Sequence, residues 1–203
     1  MIIFLIVPIG IILLYSFLKK GLYGGIDYEW TFQNYLRATD PLYLRIVWDS
    51  FKLAFFTAII CLLVGYPIAY VMATIRQPWR TILMILLVIP FWTNMVVRTY
   101  AIKLLLGDSG PVNRWLLEMG WISEAIPFTN SYATVLLGMV TNYLPFMVLP
   151  LYVSIEKFDF SLLEAGRDLG ASSWKTLTRI LLPLTRVGIV TGFLLVFTPA
   201  LGE

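Results

Sequence analysis

Ser161-Leu162-Leu163-Glu164-Ala165-Gly166-Arg167-Asp168-Leu169-Gly170, followed after nine residues by Ile180-Leu181-Leu182-Pro183, is a polar island between two long apolar blocks. Ser161 or Asp159 is placed to cap a short helix whose first turn holds Glu164, where a carboxylate meets the positive helix end. Gly170 suits a left-handed C-terminal turn, so the spacing predicts that the helix stops there. Leu162, Leu163, Gly166 and Leu169 recur at helical spacing and form one apolar stripe, with Arg167 and Asp168 beside it. Such a helix needs a partner groove or a membrane surface to cover the stripe.

The blocks on either side set the class. The 203 residues are 59% hydrophobic and only 13% charged, with a mean hydropathy of +0.82. A soluble domain averages about 45–50% apolar and 25% charged. The chain is an integral membrane protein, and its apolar runs suit helices of about 20 residues and lack the alternation of barrel strands. Spans are expected at about 2–18, 51–75, 81–106, 132–154 and 187–203, in one transmembrane domain with the island at about 155–186 between the last two. Gly21 to Ser50, with Gly24-Gly25, Asp40 and Pro41, is expected to be a polar loop, and Val112 to Met119 a helix lying along the membrane face.

The net charge of +3 is spread through the loops, which gives no nucleic-acid patch. A single cysteine, Cys61, excludes a disulfide framework, and the absence of histidine removes the commonest general base and metal ligand. No cofactor is expected. No Gly-x-x-x-x-Gly-Lys-Ser/Thr run is present, so the chain is not itself an ATPase. An ion-driven carrier would need intramembrane acids and internal repeats, and an intramembrane enzyme would need paired mid-span acids; neither pattern is found.

Polar residues do enter two spans. Pro90-Phe91-Trp92-Thr93-Asn94 interrupts the third, with Arg98, Tyr100 and Lys103 following, and Thr141-Asn142-Tyr143-Leu144-Pro145 sits near the centre of the fourth. Such breaks survive at membrane depth only where protein or water covers the backbone, so together they point to a cavity. Trp92 and Asn94 lie about 17–20 Å along the third span and Arg98 about 26 Å, at 1.5 Å per residue. Arg98 is therefore placed either in the pathway or snorkelling to the far interface. The candidate pathway residues are Trp92, Asn94, Arg98, Tyr100, Asn142 and Tyr143.

The island resembles the cytoplasmic loop signature of ATP-binding-cassette (ABC) importer permeases: Glu-Ala-Ala, three residues, Gly, nine residues, Ile, any residue, Leu-Pro. Only Gly166 departs, small for small, at a cost of about 1 kcal/mol in helix propensity. Asp40-Pro41-Leu42-Tyr43, Gly65-Tyr66-Pro67, Pro90 to Asn94 with Arg98 and Tyr100, Leu144-Pro145-Phe146-Met147 and Arg167-Asp168-Leu169-Gly170-Ala171 look most like the spermidine/putrescine permeases within that family. The resemblance implies an all-α, type I importer bundle holding about five of six transmembrane helices, with Pro199 to Glu203 resembling the start of a re-entrant element and the sequence looking cut short there. It implies ABC ATPase subunits docked on Leu163, Glu164, Ala165, Gly166, Arg167, Asp168, Gly170, Ile180, Leu182 and Pro183. It also implies a second permease subunit, an extracytoplasmic solute-binding protein, and a bacterial inner-membrane location. Orientation rests on it as well, because basic residues tie: Arg76, Arg80, Lys157, Arg167, Lys175, Arg179 and Arg186 on the island side, Lys19, Lys20, Arg37, Arg45, Lys52, Lys103 and Arg114 opposite.

Overall fold

The computed structural model describes residues 2–21, 25–128 and 131–203, so Gly24 of the first loop's glycine pair lies outside the described residues. The chain divides into two compact units, residues 1–50 and 51–203. In the first, α1 (Ile2–Ser16) leads into an antiparallel pair, β1 (Leu18–Lys20) and β2 (Ile26–Trp30), then α2 (Gln33–Ala38). Phe17 stacks among Trp30, Phe32 and Tyr35, and Asn34 donates to the carbonyls of Ser16 (3.0 Å) and Leu18 (2.9 Å), tying α2 to the end of α1. The expected polar loop is thus partly built structure. It also ends early: α3 (Pro41–Thr74) starts ten residues before Phe51, because the Asp40 carboxylate accepts the Leu42 N–H at 3.0 Å and Pro41 sits at the first helical position.

The second unit is built on the face of α3 that carries Ala54, Ala58, Cys61, Gly65, Ala69 and Met72, all buried. Against it lie α7 (Tyr132–Glu156), through Met147, Val148, Leu151 and Ile155, and α11 (Arg186–Leu201), through Val196. Close approach is possible because side chains are missing where the helices meet. A Cβ on Gly65 would sit 3.1 Å from Met147 Cγ, one on Gly192 2.8 Å from Met147 Sδ, and one on Gly188 2.5 Å from Ser154 Cβ and 2.8 Å from the Pro150 carbonyl. Small residues at helix interfaces are the usual means of packing in lipid. Phe51, Phe55, Phe193 and Phe197 then fill the seam between α3 and α11.

Among the described residues two single helices are long and apolar enough to cross a membrane, α3 and α7. The expected third span is instead broken: α4 (Trp79–Val88), a 3-10 turn over Ile89–Trp92, then α5 (Met95–Leu105). Prolines alone do not explain this, since α3 runs through Pro67 and α7 through Pro145 and Pro150. The difference is packing. α7 buries Pro145 and six other residues, whereas α4 packs on the core only through half-buried residues such as Leu83, Met84 and Leu87 and α5 buries none, so little holds their backbone straight when Pro90 removes a hydrogen bond. The last helical pair, Ser173–Leu184 and Arg186–Leu201, is bent by 69°. α6 (Pro111–Glu118) forms in the 107–128 segment and is clasped by the buried Asn113, which donates to the carbonyls of Gly107 and Ile126 and accepts the Ile126 N–H, each at 3.0 Å.

Replacing Gly188 with Val should force α11 from α7 at a cost of about 1–3 kcal/mol, read as a lower thermal unfolding midpoint in detergent. Gly138→Ala, inside α7 where an added Cβ meets nothing within 4 Å, should not lower the midpoint and should raise it through a gain of about 1 kcal/mol in helix propensity.

Candidate functional site

The polar island folds as a helical hairpin. Its first arm is α8 (Ser161–Asp168); its second is α9 (Ser173–Thr176), a π-helical turn over Leu177–Leu181 and α10 (Leu182–Leu184). Asp159, not Ser161, supplies the start: its carboxylate accepts the Ser161 backbone N–H at 3.0 Å. Hydrogen bonding from Ser161 holds that carboxyl below the ordinary carboxylate range, so the contact is present at neutral pH and is lost as pH falls through the lowered value. Gly170 ends the arm at φ +79°, with its N–H on the Arg167 carbonyl (2.8 Å) and the Ala171 N–H on the Gly166 carbonyl (3.0 Å). That pair of bonds is a Schellman motif, which needs a left-handed residue at the position of Gly170.

The apolar stripe expected on α8 is split by this geometry. Leu163 and Gly166 are buried against the second arm, where Ile180 Cδ1 lies so close that a Cβ on Gly166 would be 2.7 Å away. Leu162 and Leu169 point outward, Leu169 being 89% exposed. Of the expected docking residues, Glu164, Ala165, Arg167, Asp168, Gly170 and Pro183 are exposed, Ile180 and Leu182 are half-buried, and Leu163 and Gly166 face inward. Trp174, 71% exposed on the second arm, is a large apolar residue of the hairpin that the expected docking set did not include. A tryptophan in a polar segment was the available signal. At the foot of the hairpin the buried Thr185 hydroxyl is 3.0 Å from the Tyr66 hydroxyl and donates to the Leu181 carbonyl at 2.8 Å.

The break in the third span gathers the membrane polar groups into two sets. Asn94 caps α5, its side chain accepting the Val96 N–H at 2.8 Å, so it serves the backbone. Arg98 turns inward instead of snorkelling: its guanidinium donates to Asn142 Oδ1 on α7 at 2.8 Å and to the Pro90 carbonyl, which also accepts the Thr93 N–H and hydroxyl. The second set is Tyr143, whose hydroxyl donates to the Glu203 carboxylate at 2.9 Å. Asn142 and Glu203 line one cavity of about 300 Å³ with Thr99, Lys103, Thr134 and Met139. Trp92 and Tyr100 are exposed, 88% and 63%, and line neither set. Glu203 was missed because it lies far along the chain from the third and fourth spans; only the packing of α11 on α7 brings it to Tyr143. Among the described residues no group of His, Cys, Asp and Glu is placed to hold a metal ion.

Residues 65–203, which contain the hairpin and all of the cavity's lining except Leu53, match the family of binding-protein-dependent transport system inner membrane components. The chain belongs to that family. It is similar to the spermidine/putrescine transport system permease protein PotB of Haemophilus influenzae, 43% identical over 202 residues, covering all of this chain and 71% of that protein. The PotB protein of Escherichia coli strain K12 is 42% identical over 202 residues, covering all of this chain and 74% of that protein. The inner membrane ABC transporter permease protein YdcU of the same strain is 28% identical over 208 residues, covering 94% and 66%. The expected all-α ABC permease fold and permease function are borne out, and the family transports solutes without catalysing a reaction.

The two hairpin glycines should respond differently to substitution. Gly170→Val places a β-branched residue at φ +79° and should cost about 1–2 kcal/mol, seen as faster limited proteolysis between residues 161 and 183 in detergent. Gly166→Ala meets only the movable end of Ile180 and gains about 1 kcal/mol of helix propensity, so cleavage should be no faster than in the parent. The reverse ranking would contradict the geometry.

Proposed function

We propose that the chain is one membrane half of an ATP-driven importer of polyamines, spermidine or putrescine, in a bacterial inner membrane. The observation that carries the reading is the 42–43% identity along the whole chain to permeases named for those solutes. In this reading α1, α3, the broken α4–α5 pair, α7 and α11 make five crossings, and residues 155–186 lie on the cytosolic face. A separate ABC ATPase seats the hairpin through Glu164, Ala165, Arg167 and Asp168, which are exposed on a helix fixed at both ends. A second, different permease subunit completes the pathway, and an extracytoplasmic solute-binding protein delivers the solute.

The cavity carries one carboxylate, Glu203, and one ammonium, Lys103, so what favours a cationic solute there is local to Glu203. A polyamine is a flexible multiple cation, and Glu203 supplies the carboxylate that the third and fourth spans lack, oriented by the Tyr143 hydroxyl. Arg98 would repel such a solute, but its charge is bound to Asn142 and the Pro90 carbonyl and does not line the cavity. A single carboxylate keeps binding weak, as a path must if it is to release what it carries.

Co-purification from a bacterial membrane should bring down an ATPase subunit. Proteoliposomes holding the complete transporter should accumulate radiolabelled spermidine or putrescine with ATP. Glu164→Arg, which reverses a charge on the exposed face of α8, should leave ATP hydrolysis in place and abolish most uptake; unchanged uptake would rule out docking at this face. Glu203→Gln should raise the half-saturating polyamine concentration about fivefold, the scale of one solvent-accessible charge contact. Uptake of another solute, with polyamines excluded, would overturn the substrate.

A further inference from the structure

The last residue of α7 is joined to α4 at one carboxylate oxygen, and through Arg80 to the end of α3. Glu156 Oε1 accepts from Arg80 Nη1 at 2.8 Å and from the Tyr152 hydroxyl at 2.5 Å. Arg80, at the start of α4, also donates through Nη2 to the Ala73 carbonyl at the end of α3, 3.2 Å away. That carbonyl is one of the acceptors a helix end leaves without an intrahelical donor. The arginine fork therefore spans two acceptors on different helices, which a lysine ammonium cannot do with fixed geometry. Arg80 Nε is buried without an acceptor among the described residues, so the guanidinium is oriented from its far end.

Glu156 is also the last helical residue before the coupling hairpin, with only 157–160 between it and α8. Direct packing between the hairpin and α3 is interrupted by a cavity of about 330 Å³ lined by Tyr66, Tyr70, Leu163, Arg167, Thr176 and Leu181, among others. Two contacts run parallel to the carboxylate: the edge-on pair of Tyr70 and Phe160, 6.3 Å between centroids, and the Tyr66–Thr185 hydrogen bond at the hairpin's foot, 3.0 Å, which ties the second arm to α3 but does not reach α4. A displacement of α8 therefore has a route to α4 and to the end of α3 through the 157–160 connection, Glu156 and Arg80.

We infer that Arg80, Glu156 and Tyr152 form a strut of positioning residues that passes movement of the α8 hairpin into the turn between α3 and α4. The inference rests on the importer reading, in which an ATPase moves α8. Coupling of this kind needs a continuous element that both sites bias, and the strut supplies such a link between the hairpin and the turn from α3 to α4. Because the pair is partly open to solvent, 26% and 40% exposed at its two side chains, its loss should leave the bundle folded. Stability and coupling are then separable.

The test uses the complete transporter, with its ATPase, second permease and binding protein, in proteoliposomes, and reads radiolabelled polyamine taken up per ATP hydrolysed. Arg80→Glu and Glu156→Arg should each lower that ratio at least about threefold, and the double reversal, which restores the ion pair but neither the bond to the Ala73 carbonyl nor the one from Tyr152, should recover only part of the loss. A destabilised complex would lower uptake and hydrolysis together, which the ratio does not register. Arg80→Lys keeps the charge but not the fork, and Tyr152→Phe keeps the packing but not the hydroxyl; both should lower the ratio if either reversal fails to assemble. An unchanged ratio in the assembled variants, or a double reversal no better than either single one, overturns the strut. A parent complex without ATP-driven uptake overturns the importer reading instead, and the two failures are told apart by that control.

Discussion

Three helices, α3, α7 and α11, touch backbone to side chain because Gly65, Gly188 and Gly192 leave room, and everything else in the larger unit hangs on that contact. In water, large apolar side chains would drive such a bundle together. In lipid they do not, since the acyl chains solvate leucine as well as a neighbouring helix does. Stability then comes from close approach and from hydrogen bonds made where water is scarce. Large exposed apolar residues such as Leu63, Val64, Val187 and Leu194 are consistent with this, being outward faces of helices that meet lipid or another subunit.

The broken third span shows the same constraint from the other side. α4 meets the core only through half-buried residues such as Leu83, Met84 and Leu87, and α5 has no buried residue, so the segment yields at Pro90 and the carbonyls of the break need donors at membrane depth. Thr93 serves the Pro90 carbonyl through its N–H and hydroxyl, and Arg98 donates to the same carbonyl while reaching α7 through Asn142. A cation that would be costly alone is solvated by protein dipoles, and an otherwise loose segment is held to the bundle. The polar residues of the two spans are thus partners first, with the cavity left to Glu203, Lys103, Thr99, Thr134 and the free side of Asn142.

The hairpin is rigid for different reasons. Asp159 fixes its start, the Gly170 turn fixes the end of its first arm, and Leu163 and Gly166 lock that arm to the second. What remains exposed on it is a mixture of Glu164, Arg167, Asp168, Leu169 and Trp174. The π-helical turn over Leu177–Leu181 and the 69° bend that follows mark where this rigid piece joins α11, and the Tyr66–Thr185 hydrogen bond secures the joint to α3.

Local chemistry was legible in the chain. Composition fixed the membrane class, the Glu164-Ala165-Gly166 to Pro183 spacing identified the family, and Gly170 marked the helix end, because each depends on residue type and short-range spacing alone. Where Pro would break a helix and where it would not was not legible, since Pro90, Pro145 and Pro150 differ only in what packs around them. Nor was the division of the α8 stripe, which is set by the return of the second arm onto Gly166. The pairs Arg98–Asn142, Tyr143–Glu203 and Arg80–Glu156 join residues 44, 60 and 76 positions apart. Sequence determined which groups were available; only the glycine-permitted packing of α3, α7 and α11 decided which of them met, because hydrogen bonds depend on distances that no local pattern encodes.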